Sequence, residues 1–452
     1  MGILSSLKRS QKEAVGLLQV GTFLEYFDLM LYVHMAVILN DLFFPETDPT
    51  NAQLLSAFAF CSSFAFRPIG AYIFGKIGDT VGRKATVIIT TSIMSITCLV
   101  MALLPTYDQI GIAAAWIVSV CRIAQGLSSM GEVIGAQVYL TEMVKPPLQY
   151  PVVGLVSITS AVGSMAALGV ALLTTIYFLN WRYAFVFGAV IAVVGAAART
   201  RLKESTEFSD MQHRMKKVIE ESREDNFDSA TNYIIEKKRE FMGDIPWIHS
   251  LAYFCTGVGW PACFYYIYMY YANILKTKFG YSGEEIIIHN FKVSIYFAII
   301  SLAIVYLTRI FHPLKIAKFR NYVFLIGLIP MLYIGVSPSS IWEVVFLQAY
   351  CGAFCLTTFP ADPVIFHHFP IFRRFTCVAM SYAISRALMY LVTSFGLIYL
   401  SNWFGDWGLL VLFLPCTLAS LWGFSHFQKL EREKQELESP KSRGVQFAQA
   451  TS

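Results

Sequence analysis

Glu25 and Asp28 lie inside an apolar stretch that runs from Ala14 past Leu39. They are three residues apart and Tyr32 follows four residues later, so a helix places all three side chains on one face. An ionisable side chain at the centre of a membrane costs at least about 2.5 kcal/mol, which makes such residues functional candidates. A carboxyl group at that depth can bind and release a proton, and we predict this role for Glu25 or Asp28.

A second polar stripe occupies a later apolar stretch. Four side chains, at offsets of 0, 3, 7 and 10, share one helix face: Arg122, Gln125, Ser129 and Glu132. At about 1.5 Å per residue, Arg122 and Glu25 both fall near the middle of a core about 30 Å thick. We predict that Arg122 pairs with Glu25 or Asp28, or holds a substrate carboxylate, and that both stripes face a cavity. Glu132 is a second candidate for proton relay, and a purely structural ion pair is the alternative.

The composition places these stripes in a membrane protein. Of the 452 residues, 56% are hydrophobic and 14% are charged, whereas soluble domains carry roughly 25% charged residues. Spans need about 20 mostly apolar residues, and twelve such windows begin near Ala14, Asn51, Ala85, Ile110, Pro151, Trp181, Trp247, Phe291, Phe319, Ile341, Phe375 and Gly405. The first window lacks a signal-peptide pattern and is predicted to be retained. We predict an all-α integral membrane protein with twelve transmembrane helices.

The basic residues fix the predicted orientation. With the N-terminus inside, 28 of the 35 Lys and Arg residues fall on the same side, as the positive-inside rule requires for a cytoplasmic side. Both termini are therefore predicted to be cytoplasmic. The net charge of +5 follows from this distribution, and we expect no nucleic-acid partner.

One long polar segment of mixed charge separates six windows from six. We predict a first half at residues 1–200, a cytoplasmic linker at 201–244, a second half at 245–428 and a cytoplasmic tail at 429–452. This layout is typical of transporters whose substrate site lies near the midplane between the halves. The sequence shows no nucleophile–base pair, no metal-ligand spacing and no long soluble domain, so we expect no enzyme activity, metal site or cofactor.

The loop between the second and third windows contains a glycine-rich charged motif. It reads Gly75-Lys76-Ile77-Gly78-Asp79-Thr80-Val81-Gly82-Arg83-Lys84. The glycines permit a tight turn, and Asp79 can cap a helix or pair with a base. This motif resembles the G-x-x-x-D-x-x-G-R-K signature of the major facilitator superfamily. The resemblance implies two six-helix bundles, latched on the cytoplasmic side by Gly75, Asp79, Gly82 and Arg83. Thr80 replaces a residue that is usually basic, which predicts a weaker latch.

Further stretches resemble the metabolite:proton symporters of that superfamily. They are Gly21 to Asp28, Phe43-Phe44-Pro45, Arg67-Pro68-Ile69-Gly70, Arg122 with Gln125-Gly126 and Gly131-Glu132, and Arg201 to Ser205. After Phe208 the similarity is thin, although Phe369-Pro370 followed by Arg373 fits the pattern. Near the latch, we expect Arg67 to brace it, and Glu142 and Glu204 to pair with Arg83 or Arg201.

The resemblance implies a secondary transporter of the bacterial inner membrane. We predict a monomeric, multi-pass, proton-coupled symporter of a small metabolite, either a zwitterionic osmolyte or amino acid or a carboxylate. Two alternatives remain open: an antiporter or exporter of the same fold, and a membrane sensor or scaffold that has lost transport.

The second half offers two candidates for substrate contact. Arg386 lies in the middle of the eleventh window, where it either favours an anionic substrate or pairs with a local carbonyl or with Asp362. The seventh window is rich in aromatic residues after Trp260, with Tyr265 as the named candidate. These rings predict either a cage for a quaternary ammonium or an interfacial aromatic belt.

Overall fold

The computed structural model describes residues 6–35, 39, 42–43, 64–176, 180–223, 243–245, 247–335, 338–393, 400, 403–404 and 407–438. Several predicted features lie outside the described residues. They are the starts of the second and twelfth windows at Asn51 and Gly405, the pair Phe44-Pro45, the linker over residues 224–242, and the tail after Glu438.

Each of the twelve predicted windows overlaps a helix in the described part of the chain. Those before the linker, which we call the first half, are α1 (Arg9–His34), α2 (Arg67–Thr80), α3 (Arg83–Leu103), the short α4 (Tyr107–Ile110), α5 (Ile112–Met143), α6 (Gln149–Ile176) and α7 (Arg182–Arg199). A polar helix, α8 (Thr206–Arg223), follows in the predicted linker.

The second half contains broken as well as continuous helices. The seventh window holds α9 (Trp247–Gly257), α10 (Gly259–Phe264), a π-helical turn (Tyr265–Tyr270) and α11 (Tyr271–Thr277). The other helices are α12 (Gly283–Leu307), α13 (Pro313–Gly335), α14 (Ile341–Phe354), the short α15 (Asp362–Phe366), α16 (Ile371–Leu391) and α17 (Gly408–Glu438).

Within the described residues, six helices are long and apolar enough to cross a membrane, namely α1, α3, α5, α6, α7 and α12. Their outward surfaces are apolar and exposed, as at Trp116, Val194 and Ile299, which suits contact with lipid. The seventh and tenth windows are divided into shorter helices, and α13 and α16 contain the buried arginines Arg320 and Arg386.

The most extensive contacts between the two halves are formed by two helix pairs. Helix α2 packs against α16, and α6 packs against α12. Close approach of α2 and α16 depends on Gly75, because a Cβ at this position would lie 2.7 Å from the Cα of Thr376. A buried apolar cluster near this contact includes Ile134 from the first half and Phe375 from the second. These contacts between the halves hold the latch loop in place and bound the space between the halves.

Candidate functional site

The motif loop between α2 and α3 closes one face of the bundle, which we call the signature face. Asp79, near the end of α2, accepts hydrogen bonds from the backbone N–H groups of Phe375 at 3.1 Å and Thr376 at 2.8 Å. Both donors belong to α16. A carboxylate of the first half therefore binds the backbone of a helix in the second half.

Arg83, the first residue of α3, is at the centre of the contacts at the signature face and is 0% exposed. Its guanidinium donates to Glu142 at 3.0 and 2.8 Å, to Asp79 at 3.2 Å and to the carbonyl of Ile371 at 2.6 Å. Glu142 also forms an ion pair with Arg374 of α16 at 3.1 Å. Buried charges are tolerated when they are paired and hydrogen-bonded, and here the pairing extends across both halves.

Glu204 caps the start of α3 at the same face. Its carboxylate accepts hydrogen bonds from the backbone N–H groups of Arg83 at 3.0 Å and Lys84 at 3.2 Å. Gly82 has a φ of +140°, and a Cβ there would lie 2.1 Å from Oε2 of Glu204, so the turn requires glycine. Glu142 thus pairs with the side chain of Arg83, Glu204 bonds its backbone, and Arg201 is exposed.

The second half contributes Arg374, which sequence reasoning did not select. Arg374 pairs with Glu142 and, at 2.8 Å, with Glu207 of α8. Its neighbour Arg373, the residue that fits the family pattern, is exposed. Thr80 is also exposed and donates to the carbonyl of Lys76, so the described gate contacts form without it.

Three further ion pairs are buried among the helices of the first half. They are Glu25–Arg67 at 3.2 Å between α1 and α2, Asp28–Arg122 at 3.2 Å between α1 and α5, and Glu132–Arg199 at 2.5 Å between α5 and α7. Each pair joins two different helices.

These pairs bear on two predictions. Arg122 pairs with Asp28, one of its two predicted carboxylate partners, while Glu25 pairs with Arg67. Arg67 does not brace the latch, because it begins α2 whereas Asp79 lies at the other end, about 18 Å along the helix. Helical spacing gave the faces of α1 and α5 but not the neighbouring helix that each face meets.

The three carboxylates differ in how completely they are bonded. Glu132 accepts hydrogen bonds from two threonines of α3 at Oε1 and from Arg199 at Oε2. Asp28 accepts from Arg122 at Oδ2 and from the thiol of Cys98 at Oδ1. Glu25 accepts from Arg67 at Oε1, while its buried Oε2 has no hydrogen-bond partner among the described residues.

The Asp28–Arg122 pair is enclosed by other members of the predicted stripes. The guanidinium of Arg122 lies 4.0 Å from the ring centroid of Tyr32 and donates to Gln125 at 2.9 Å. These side chains do not line the central cavity, and neither does Glu132. The prediction that both stripes face the cavity is therefore wrong for these side chains. The stripes meet each other at Asp28 and Arg122, while Glu25 and Glu132 pair with arginines of two other helices of the first half.

A cavity of about 150 Å³ lies between the two halves. Its first-half wall includes Tyr26, Arg67 and Gln137, and its second-half wall includes Trp260 and Arg386. The cavity is bounded by helices of both halves, as expected for a site between two moving bundles.

Four charged side chains line this cavity: Arg67, Arg320, Asp362 and Arg386. Arg67 is paired with Glu25. All three nitrogens of Arg320 have partners, since they donate to the carbonyls of Ala353 and Phe359 and to Sγ of Cys355 at 2.8 to 3.2 Å. Among the described residues, none of these three side chains forms an ion pair: Arg320, Arg386 and Asp362.

Arg386 faces the cavity and also binds a local carbonyl, so two of its predicted environments occur together. It donates to the carbonyl of Gly257 at 3.2 Å, and its guanidinium lies 4.7 Å from the ring centroid of Tyr382. Tyr265 is not in the cavity wall. It packs against the apolar core of the second half, while the rings of the seventh window that line the cavity are Trp260, Phe264 and Tyr268.

Sequence reasoning missed Arg199 and Arg320 by counting them with the loop cations. Both are buried, at 0% and 4% exposure. The available signal was position, because Arg199 ends the sixth apolar window and Arg320 lies one residue inside the ninth. An arginine inside an apolar window needs a partner, whatever the adjoining loop contains.

Curated relatives match part of the chain. It is 37% identical over 207 residues to the inner membrane metabolite transport protein YhjE of Escherichia coli, covering 44% of this chain and 47% of YhjE. It is 33% identical over 205 residues to the proline/betaine transporter of Escherichia coli, covering 44% and 41%. The citrate-proton symporter of Klebsiella pneumoniae is 33% identical over 202 residues, covering 43% and 46%. The chain spans about half the length of these relatives, and the resemblance to metabolite:proton symporters is confirmed.

Solved structures match over nearly the whole chain. The proton:xylose symporter XylE bound to 6-bromo-6-deoxy-D-glucose superposes with a TM-score of 0.73 at 16% identity, covering 92% of this chain and 95% of that one. The human organic anion transporter MFSD10 superposes with a TM-score of 0.67 at 13% identity, covering 93% and 100%. At such identities the match concerns the fold, and it confirms the predicted all-α transporter architecture.

The family assignment rests on the longest sequence match. The Major Facilitator Superfamily model matches residues 18–370, a range that includes the motif loop, the buried ion pairs of the first half and much of the cavity wall. The named relatives and structures are transporters, in agreement with the prediction that the chain is not an enzyme. The chain belongs to the Major Facilitator Superfamily.

Proposed function

We propose that this protein is a proton-coupled symporter that carries a small, carboxylate-bearing metabolite by alternating access. One observation carries the proposal: Arg67 lines the central cavity and is also the ion-pair partner of Glu25. A single guanidinium thus contacts both the substrate space and a carboxyl group able to bind a proton. The similarity to the citrate-proton symporter of Klebsiella pneumoniae supports the same inference.

Coupling follows from competition for Arg67. While Glu25 is ionised, it holds the guanidinium at 3.2 Å. Protonation removes the negative charge, so Arg67 is free to bind a substrate carboxylate. Because linkage is reciprocal, bound substrate in turn favours the protonated form of Glu25. Release of the proton restores the ion pair and weakens substrate binding.

Glu25 is a better proton carrier than the other two buried carboxylates. Its Oε2 is buried without a partner in the described part of the chain, so that oxygen can accept a proton without breaking a hydrogen bond. Both oxygens of Glu132 are bonded, and we assign this residue a structural role. Asp28 is also bonded at both oxygens and serves to orient Arg122.

The gate at the signature face is the element that must open and close. We place this face in the cytoplasm, with both termini, because most Lys and Arg residues fall on that side. The halves at residues 1–200 and 245–428 then move relative to each other, joined by the linker at 201–244. Opening separates Asp79 and Glu142 from the start of α16. We propose a monomer in the bacterial inner membrane.

Proteoliposomes with an imposed pH gradient, acidic outside, test the function. Amino acids, betaines and di- and tricarboxylates are supplied as labelled solutes. We expect one class to accumulate above equilibrium, and a protonophore to abolish the accumulation. Exchange without proton-driven accumulation would indicate a uniporter or antiporter, and binding without flux would indicate a sensor or scaffold.

A further inference from the structure

The second-half wall of the cavity contains two buried charges of opposite sign that are incompletely bonded. Arg386 is 5% exposed and Asp362 is 3% exposed. Within the described chain, Nε of Arg386 and Oδ1 of Asp362 have no hydrogen-bond partner. Both side chains line the cavity.

The contacts that these two side chains already form do not involve those two atoms. Arg386 donates to the carbonyl of Gly257 and interacts with the hydroxyl of Tyr382, and Asp362 interacts with the side chain of Thr358. The two residues interact electrostatically without forming an ion pair. An unsatisfied buried polar atom destabilises the fold, and more so if it is charged. Arg320, in the same wall, is fully bonded by the protein.

We infer that Arg386 and Asp362 form a two-point site for a zwitterion, in which Arg386 binds the carboxylate and Asp362 binds a protonated amino group with at least one N–H. A guanidinium donates to a carboxylate, and an ionised carboxylate only accepts. A dicarboxylate would bring negative charge against Asp362 in a low-dielectric cavity. A simple monocarboxylate would leave Oδ1 of Asp362 without a partner.

The aromatic lining does not favour a quaternary ammonium. The guanidinium of Arg386 lies 4.7 Å from the ring centroid of Tyr382 and 6.0 Å from that of Trp260. Arg67 lies 4.7 Å from the ring centroid of Phe64. Rings of the cavity wall thus already stabilise arginines by cation–π contact. A trimethylated nitrogen also has no N–H to offer Asp362.

The site connects to the coupling residue, and in this respect the inference rests on the proposed function. Arg67 from the first half and Arg386 from the second both interact with Tyr26 and Tyr390. A carboxylate bound by Arg386 is therefore close to the guanidinium that protonation of Glu25 releases. Binding by both arginines would join the two halves around the substrate.

Binding to the purified protein tests the inference without transport. Trp260 lines the cavity, so its fluorescence reports occupancy, and Trp260→Phe identifies its share of the signal. The probes are matched triplets: an α-amino acid, its N,N,N-trimethyl betaine and its α-keto acid, with several neutral side chains. We expect one amino acid to bind at least about tenfold more tightly than its betaine and its keto acid. A keto acid or betaine that binds as tightly as the amino acid would overturn the inference.

Two substitutions assign the contacts. Asp362→Asn should weaken amino-acid binding at least about tenfold and leave keto-acid binding unchanged or tighter, whereas Arg386→Lys should weaken both. Asp108→Asn and Arg309→Lys make the same changes at exposed positions and should bind like wild type. Equal weakening of amino acid and keto acid by Asp362→Asn would contradict the assignment. The wild-type triplet comparison decides the ligand class even if a variant misfolds.

Failure of the two proposals can be told apart. Amino-acid binding without proton-driven flux would remove the proposed symport and leave the zwitterion site standing. Proton-driven uptake of a keto acid or a betaine, with no amino-acid binding, would sustain symport and overturn the zwitterion site.

Discussion

In the described part of the first half each buried carboxylate of the membrane helices is paired with an arginine from another helix, whereas the described charges of the second-half cavity wall form no ion pair. Glu25, Asp28 and Glu132 have ion-pair partners within 3.2 Å. In the second half, Arg386 and Asp362 face the cavity, and neither forms an ion pair among the described residues. In the first half buried charge joins helices, and we propose that one of these pairs also carries the proton. The incompletely bonded charges of the second half are those that we propose for the ligand.

The largest expected effect is on stability, and it differs between the halves. Arg199→Met leaves Glu132 buried without its cation and should cost about 3–5 kcal/mol of unfolding free energy. Arg386→Met removes one hydrogen bond to a carbonyl and should cost about 1–2 kcal/mol. Thermal unfolding of both variants in one detergent measures the difference. Adding Glu132→Met to Arg199→Met should restore most of the loss, and equal shifts for the two single variants would break the comparison.

The second effect concerns the gate that joins the halves. Asp79→Asn replaces a charged acceptor of two backbone N–H groups of α16 with a neutral one. The closed gate should lose about 1.5–3 kcal/mol of stability, which shifts the equilibrium roughly tenfold to a hundredfold towards the open gate. Cys355 lines the cavity, so a membrane-impermeant thiol reagent applied at the signature face reports opening. In a background in which the other eight cysteines are replaced by serine, we expect faster labelling in Asp79→Asn. No labelling is expected once Cys355→Ser is added. Unchanged labelling would show that Asp79 does not hold the gate.

The third effect concerns the turn of the signature loop. Gly82→Ala should cost about 1–3 kcal/mol, because φ is +140° and a Cβ would clash with Glu204. Gly111→Ala is the matched control, with a φ of +64° and nothing within 4 Å of its Cβ, and should cost about 1–2 kcal/mol. Urea or thermal unfolding measures the stability loss of each variant and shows which is larger. A larger loss for Gly111→Ala would mean that the contact with Glu204 is unimportant.

The smallest effect is expected at Thr80. The superfamily signature usually carries a basic residue there, and the sequence predicted a weaker latch. Thr80 is exposed and bonds only its own helix at Lys76 among the described contacts. Thr80→Arg should therefore change stability by less than about 0.5 kcal/mol and leave Cys355 labelling unchanged. Slower labelling of Thr80→Arg would show that the latch is incomplete without this residue.

The fold and the gate were largely predictable from the sequence, for physical reasons. Apolar length gives the spans, and the positions of Gly75, Asp79, Gly82 and Arg83 mark the loop where α2 and α3 meet. Glycine at 82 is explained by its positive φ, a local property. Such features depend on neighbouring residues in the chain, so spacing alone can locate them.

The ion-pair partners were less predictable because they depend on how helices pack. The periodicity of α1 puts Glu25 and Asp28 on one face, but α2 covers one residue and α5 the other. Arg67 is close to the latch loop in sequence and was therefore assigned to the latch. In the structure, the length of α2 separates Arg67 from that loop. The incomplete bonding of Asp362 depends on the break between α14 and α15, which no spacing rule indicates.

Proton coupling in Glu25→Gln tests the central claim most directly. The amide mimics the protonated carboxyl, so Arg67 should stay free for substrate. In proteoliposomes we predict that counterflow exchange of the substrate persists, while accumulation driven by a pH gradient is lost and binding no longer depends on pH. Asp28→Asn should retain some accumulation. Accumulation by Glu25→Gln at the wild-type level under the same gradient would contradict the account.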